Sequence, residues 1–63
     1  MVNGRKIKEL REQADMTQEE LAKRTFVGSS AIAQYEVGIR QPGVAVLKSI
    51  ADVLGVTMDS LMQ

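Results

Sequence analysis

The sequence predicts an all-α domain built from five short helices. Apolar residues recur at helical spacing along the chain, as they do at Leu47, Ile50, Ala51 and Leu54. No segment shows the sustained alternation of apolar and polar residues that a half-buried strand requires. Glycines and the single proline fall between the apolar segments, where they end one helix and let the chain turn towards the next.

Size and composition limit the classes of protein to which the chain can belong. Its 63 residues predict one domain, residues 1–63, near the lower limit for folding without a disulfide or a metal. The sequence has no Cys and no His, so we expect no zinc site, no cofactor, and no thiol or imidazole catalysis. No apolar run approaches the length of a membrane span, and we expect a cytoplasmic protein without a membrane partner.

Net charge does not indicate a nucleic-acid partner. Eight basic residues balance eight acidic ones, which gives a formal charge of zero. DNA-binding domains usually carry a basic patch that meets the phosphates. Any case for DNA binding therefore has to come from the arrangement of particular residues.

The first two helices are predicted from an apolar stripe and from a cap. Ile7, Leu10 and Ala14 form one apolar face of a helix that begins at Gly4 or Arg5 and ends at Ala14. Thr17 and Glu20 have the spacing of a capping box, in which each side chain binds the other residue's backbone amide. The second helix therefore starts at Thr17, and its predicted inward residues are Leu21, Ala22 and Thr25.

The third helix follows a short break at residues 26–28 and has two different faces. Gly28 or Ser29 caps it, Ile32 and Tyr35 point inward, and Gly38 ends it. Its first turns and outer face carry small or uncharged polar residues, which are Ser29, Ser30, Ala33 and Gln34. Solvent-facing helices usually carry Lys and Glu, so this face is unusual for one that only meets water.

The last two helices follow a loop at Gln41-Pro42-Gly43, because proline disfavours helical backbone in the residue before it. The fourth helix is predicted from Val44 to Leu54, with Gly55 as its end. A short fifth helix follows the Thr57 cap and contributes Met58, Leu61 and Met62.

Two helices joined by a short break form either a DNA-reading helix-turn-helix or a plain helical corner. The outer face of the third helix favours DNA reading, because small side chains permit close approach in the major groove and a Gln amide can pair with adenine. The alternative is a helical protein-interaction module, such as an antitoxin or adaptor on the same fold. An enzyme is disfavoured, since no candidate nucleophile with a base and no carboxylate pair in a cleft is evident.

The ordered series of residues resembles the lambda-repressor-like helix-turn-helix family, which contains phage repressors, Cro proteins and bacterial Xre-type regulators. The likeness extends from about Arg5 to Leu61 without gaps. It rests on residues 17–22, Val27, Ser30, Ile32, Tyr35, Glu36, Gly38, Arg40, Pro42, Leu47, Ile50, Ala51, residues 54–56 and Leu61.

The resemblance implies roles for individual residues. It implies sequence-specific binding of double-stranded DNA by a transcriptional regulator, a repressor by expectation, with the third helix in the major groove. Base-reading positions of the family match Ser29, Ser30, Ala33 and Gln34. Positions that touch the DNA backbone match Thr17, Gln18, Arg40 and Gln41. The family's partly buried salt bridge matches Arg11 and Glu36.

Three departures from the family pattern concern the reading face and the turn before it. Phe26 stands where the family often has Gly, so either Gly28 takes the positive φ instead or Phe26 takes it with strain and covers apolar surface. Gly28 stands where Ser or Thr often caps the helix, so Ser29 serves as cap or as base reader. The reading face also lacks Arg and Lys.

Assembly is predicted from the small size of the domain. A specific DNA interface usually exceeds what one small module provides, so we expect a homodimer on a pseudo-palindromic operator. The expected self-contact lies near the C-terminus at Val56, Met58, Leu61 and Met62. The alternative is that these residues complete the core.

Overall fold

Five α-helices and no strand make up the structure, a computed structural model that describes residues 1–63. The helices are α1 (Gly4–Gln13), α2 (Gln18–Thr25), α3 (Ser29–Val37), α4 (Val44–Leu54) and α5 (Met58–Leu61). The molecule measures about 23 × 22 × 19 Å along its principal axes. The predicted all-α, five-helix architecture is confirmed.

Side-chain caps start three of the helices. Asn3 accepts a hydrogen bond from the backbone of Lys6 at the start of α1, and Thr57 caps α5 in the same way. The predicted capping box starts α2: the Glu20 amide donates to Thr17 Oγ1 at 3.0 Å, and the Thr17 amide donates to Glu20 Oε1 at 2.9 Å. Each bond satisfies an amide that the first turn of a helix leaves without a partner.

The first helix differs from its predicted apolar stripe. It ends at Gln13, and Ala14 is an exposed C-cap residue, so assigning Ala14 to the inward face was wrong. Arg11 lies on the buried face instead. The chain then turns through Asp15, which has a φ of 57°.

In the turn between α2 and α3, Phe26 is the residue that takes the positive φ. Phe26 has a φ of 59° and takes the left-handed conformation, whereas Gly28 has an ordinary φ of −75° and caps α3 without a side chain. The alternative in which Gly28 takes the positive φ was therefore wrong. Phe26 also covers no apolar surface, because it is 95% exposed.

The remaining helix ends follow the glycines. Gly38 and Gly55 end α3 and α4 in the left-handed conformation, with φ of 84° and 72°. Glycine takes this conformation without the steric penalty that a Cβ causes. The carbonyl groups of the last helical turns accept hydrogen bonds from the chain that follows, as in Ile39 to Gln34 at 3.0 Å.

A core of aliphatic residues and one tyrosine joins all five helices. Leu54, predicted to point inward, is only half-buried. Each fully buried aliphatic side chain contributes roughly 1.5–3 kcal/mol to folding. The buried apolar residues are Ile7, Leu21, Ala22, Ile32, Tyr35, Leu47, Ile50, Ala51 and Leu61.

Two backbone contacts bring the start of the chain against later helices. A Cβ built on Gly4 would lie 2.1 Å from the Tyr35 carbonyl oxygen and 2.7 Å from that of Glu36, so the first turn of α1 packs directly on the α3 backbone. The Asn3 amide donates to the Leu61 carbonyl at 2.7 Å.

None of the five helices combines the length and the apolar character that crossing a bilayer requires.

Candidate nucleic-acid interface

The outer face of α3 is exposed in its first turn and less exposed further along the helix. Ser29 and Ser30 are exposed, while Ala33 and Gln34 are half-buried. No side chain among Ser29, Ser30 and Gln34 makes a hydrogen bond to another protein group. Their hydroxyl and amide groups are therefore free to bind an external partner.

This face also carries no charge. The first turn of α3 contains no acidic residue, its last turn contains no basic one, and Glu36 is the only charged residue of the helix. Glu36 itself is buried. The face offers neutral hydrogen-bonding groups and the Ala33 methyl, which match the donors, acceptors and methyl groups exposed in the major groove.

A buried network fixes α3 against the first two helices. Arg11 Nε donates to Glu36 Oε2 at 2.7 Å and Arg11 Nη2 donates to Glu36 Oε1 at 3.2 Å, which makes a bidentate ion pair. Arg11 Nη1 donates to the Met16 carbonyl at 2.8 Å, and Gln18 Nε2 donates to Glu36 Oε1 at 3.0 Å. These bonds link α1, the turn after it, α2 and α3.

Hydrogen bonds shift the pKa of one side chain in the Arg11–Glu36 network and of one side chain in the α2 capping box. The hydrogen bonds that Arg11 donates to Glu36, together with the charge of Glu36, raise the pKa of the Arg11 guanidinium against an opposing effect of burial. At the start of α2, hydrogen bonds from the backbone and the hydroxyl of Thr17 lower the pKa of the Glu20 carboxyl. Both shifts favour the charged forms of the two side chains, Arg11 and Glu20.

The α2 residues expected at the DNA backbone are partly engaged within the protein. Thr17 is exposed, and its side-chain oxygen accepts the capping bond from the Glu20 amide. Gln18 is half-buried and gives one amide hydrogen to Glu36, which leaves its second hydrogen and its oxygen free. The sequence did not indicate that Gln18 joins the Arg11–Glu36 network.

The loop after α3 also holds its two candidate residues in place. The Arg40 guanidinium lies 5.9 Å from the centre of the Tyr35 ring, within cation–π distance. Gln41 Oε1 accepts a hydrogen bond from the Val2 amide at 2.9 Å, so the N-terminal residues support this loop. Both Arg40 and Gln41 are exposed.

The expected self-contact near the C-terminus needs one correction. Leu61 is fully buried and belongs to the core, so assigning it to an intermolecular surface was wrong. Val56 and Met58 are half-buried against the core, and Met62 is 46% exposed. The three remaining residues offer only a small apolar area to a second copy.

Neither a cavity nor a cluster of metal-ligating side chains is present. The arrangement is that of a helix-turn-helix module: α2 and α3 are joined by a short turn, α3 is held by a buried ion pair, and its outer face is free.

Comparison with known proteins agrees with this class. Residues 7–61 match the family model described as helix-turn-helix. The chain belongs to this family, of the lambda-repressor-like (Xre) type.

Two curated relatives and one solved structure illustrate the likeness. The chain is 37% identical to the HTH-type transcriptional activator BcrR of Enterococcus faecalis over 57 residues, 90% of this chain and 28% of that protein. It is 36% identical to the uncharacterized HTH-type transcriptional regulator YazB of Bacillus subtilis, over 92% of this chain and 84% of YazB. The P22 c2 repressor in complex with synthetic operator 9T has a TM-score of 0.95 at 25% identity, covering all of this chain and 96% of that one.

Proposed function

We propose that this chain binds double-stranded DNA sequence-specifically as part of a transcriptional regulator, with α3 in the major groove. The observation that carries the proposal is the free, uncharged outer face of α3 on a helix that the Arg11–Glu36 pair locks in place. Its support from comparison is the close likeness to the P22 c2 repressor, whose structure contains an operator.

The base-contacting residues in this proposal are Ser29, Ser30, Ala33 and Gln34. A Gln amide pairs bidentately with an adenine edge, and the Ala33 methyl suits contact with a thymine methyl. The serines allow close approach of the helix and supply single hydrogen bonds. Gly28 is the N-cap residue of α3 and no side chain caps the helix. The Ser29 hydroxyl is therefore not used as a cap and is available to contact a base.

Thr17, Gln18, Arg40 and Gln41 contact the phosphate backbone in this proposal. The first amides of α2 form an anion site beside Thr17, because helix N-termini present unpaired N–H groups and a positive dipole end. Arg40 supplies the single positive charge of the group, stacked on Tyr35. Such contacts fix the position of the domain but carry no sequence information.

The regulatory effect proposed is repression, which is supported by the likeness to the P22 c2 repressor. The site of action is then the bacterial cytoplasm. The domain binds as a two-fold pair on a pseudo-palindromic operator, with Val56, Met58 and Met62 at the self-contact.

Selection of bound sequences from a random duplex pool tests the proposal. We expect an enriched motif with inverted repeats, and binding that weakens as salt rises. A variant with Gln34→Ala serves as the matched control, because it keeps the fold and alters the reading face. A chain that enriches no motif and binds no duplex contradicts the proposal, and would favour a protein-interaction module on the same fold.

A further inference from the structure

Phe26 is the residue of this structure that packing and backbone geometry leave unexplained. It takes the left-handed conformation at the end of α2 and exposes 95% of its surface. A side chain with a Cβ is disfavoured in this conformation, and a ring in water gains nothing from burial. A glycine would satisfy the turn better, so the exposed ring is a candidate for contact with a partner outside the chain.

The neighbours of Phe26 hold it in this exposed position. The Thr25 hydroxyl is buried and donates to the Leu21 carbonyl at 2.8 Å. On the other side, Val27 packs against the core and its amide donates to the Ala22 carbonyl at 3.2 Å. With both adjacent residues anchored, Phe26 cannot turn inward while the fold is intact.

The position of Phe26 is next to the proposed DNA interface. Three peptide units separate it from Ser29, so their Cα atoms lie at most about 11 Å apart. The major groove is about 12 Å wide, so a residue at this distance from Ser29 is close enough to contact the groove edge when Ser29 meets bases. On the other side, Lys23 and Arg24 are exposed, and neither takes part in the ion pairs of the protein.

We propose that Phe26 is a further DNA contact and a determinant of specificity, whose ring packs on the C5-methyl group of a thymine at the edge of the half-site. The inference rests on the proposed function. Lys23 and Arg24, in the last turn of α2 just before Phe26, supply positive charge for the flanking phosphates. The ring provides apolar contact area that the reading face, built from Ser, Ala and Gln, lacks.

Affinity measurements on the duplex selected by the wild-type chain test this contact. Phe26→Gly is expected to bind about tenfold more weakly, which corresponds to about 1.4 kcal/mol. Its urea midpoint should not fall, because glycine accepts the left-handed turn. Asp15→Gly, which relieves the same kind of backbone conformation in another turn, is the matched control for stability.

Replacing thymines with uracil one at a time identifies the methyl group. At one position, replacement of thymine by uracil should weaken the binding of the wild-type chain and leave the affinity of the Phe26→Gly variant unchanged. Phe26→Leu, which keeps an apolar side chain, should retain most of the affinity and serves if the glycine variant does not fold.

Equal affinity of the wild type with Phe26→Gly, or the absence of any thymine that distinguishes them, overturns the inference. The first result would assign the ring to a protein partner. Failure of the proposed function is a different result, since the wild-type chain would then select no duplex.

Discussion

Glu36 binds two side chains from two different helices, and its own side chain is only 1% exposed. Glu36→Ala would leave the Arg11 guanidinium buried without its acceptor and Gln18 without a partner. Removing one partner of a buried ion pair costs about 3–5 kcal/mol, a large share of the stability of so small a domain. We expect urea melts to show severe destabilisation, and a smaller loss for Glu36→Gln, which keeps the shape and one acceptor.

Glu20→Ala is the comparison for this prediction. It removes one bond of an exposed capping box rather than a buried charge, so its urea midpoint should fall by less than that of Glu36→Ala. Equal small losses in the two variants would show that water replaces the Glu36 contacts in solution.

Gln34 is the side chain on the α3 face best suited to read a base. Gln34→Ala should weaken binding to the preferred duplex by about 1–3 kcal/mol and relax the preference at one base position. Affinities measured on the selected duplex and on its single-base variants provide the check. A uniform loss on all sequences would reassign Gln34 to a phosphate contact.

Arg40 is expected to behave in the opposite way, because a phosphate contact is insensitive to sequence. Arg40→Ala should weaken binding to every duplex by a similar factor and reduce the slope of log affinity against log salt by about one. Titrations at several salt concentrations measure that slope. If it matches the wild-type slope, Arg40 lies outside the interface.

At the scale of helices, the packing of α1 on α3 depends on the missing side chain of Gly4. Gly4→Ala would place a Cβ 2.1 Å from the Tyr35 carbonyl oxygen, so the two helices must separate. Overpacking of this kind costs about 1–3 kcal/mol, more than the gain in helix propensity from alanine. Thermal or urea unfolding should show the loss.

Gly43→Ala is the matched control for Gly4. A Cβ on Gly43 meets nothing within 4 Å, and its φ of −69° suits any residue. Its unfolding midpoint should stay close to that of the wild type. A stable Gly4→Ala variant would mean that α1 and α3 lie further apart than in the structure.

Helix limits were predictable from the sequence because caps are local. Thr17 with Glu20 marks the start of α2, and Gly38 and Gly55 mark helix ends within a few residues of the groups they bind. Each of these signals needs only neighbouring positions in the chain. The same locality explains why the order and number of helices followed from the sequence.

Contacts between distant residues were not predictable in the same way. Nothing near Gly4 in the sequence shows that α3 backbone lies against it, and nothing near Gln41 shows that it accepts a bond from Val2. Burial was also predicted wrongly for two residues near helix ends. Ala14 continues an apolar period but lies beyond the last turn, and Leu61 belongs to the core rather than to a surface.

For the molecule as a whole, small size predicts cooperation between two copies on DNA. A single domain presents few contacts to DNA. The apolar area of the expected self-contact is also small, because Leu61 belongs to the core. We expect a monomer or a weak dimer in sedimentation and a two-fold pair on two half-sites roughly 34–36 Å apart. Titration onto one and then two half-sites should show tighter binding per domain on the double site. Equal affinity per domain would exclude pairing.

The hydrogen bond between the Asn3 amide and the Leu61 carbonyl puts both ends of the fold at one point on its surface. Joining two copies in tandem therefore requires a peptide that spans only the distance between corresponding points of the two domains. Such a tether would keep the second copy at an effective concentration in the millimolar range when its length matches that span. A covalent pair of this kind would replace the proposed C-terminal self-contact and bind the proposed operator as a single molecule.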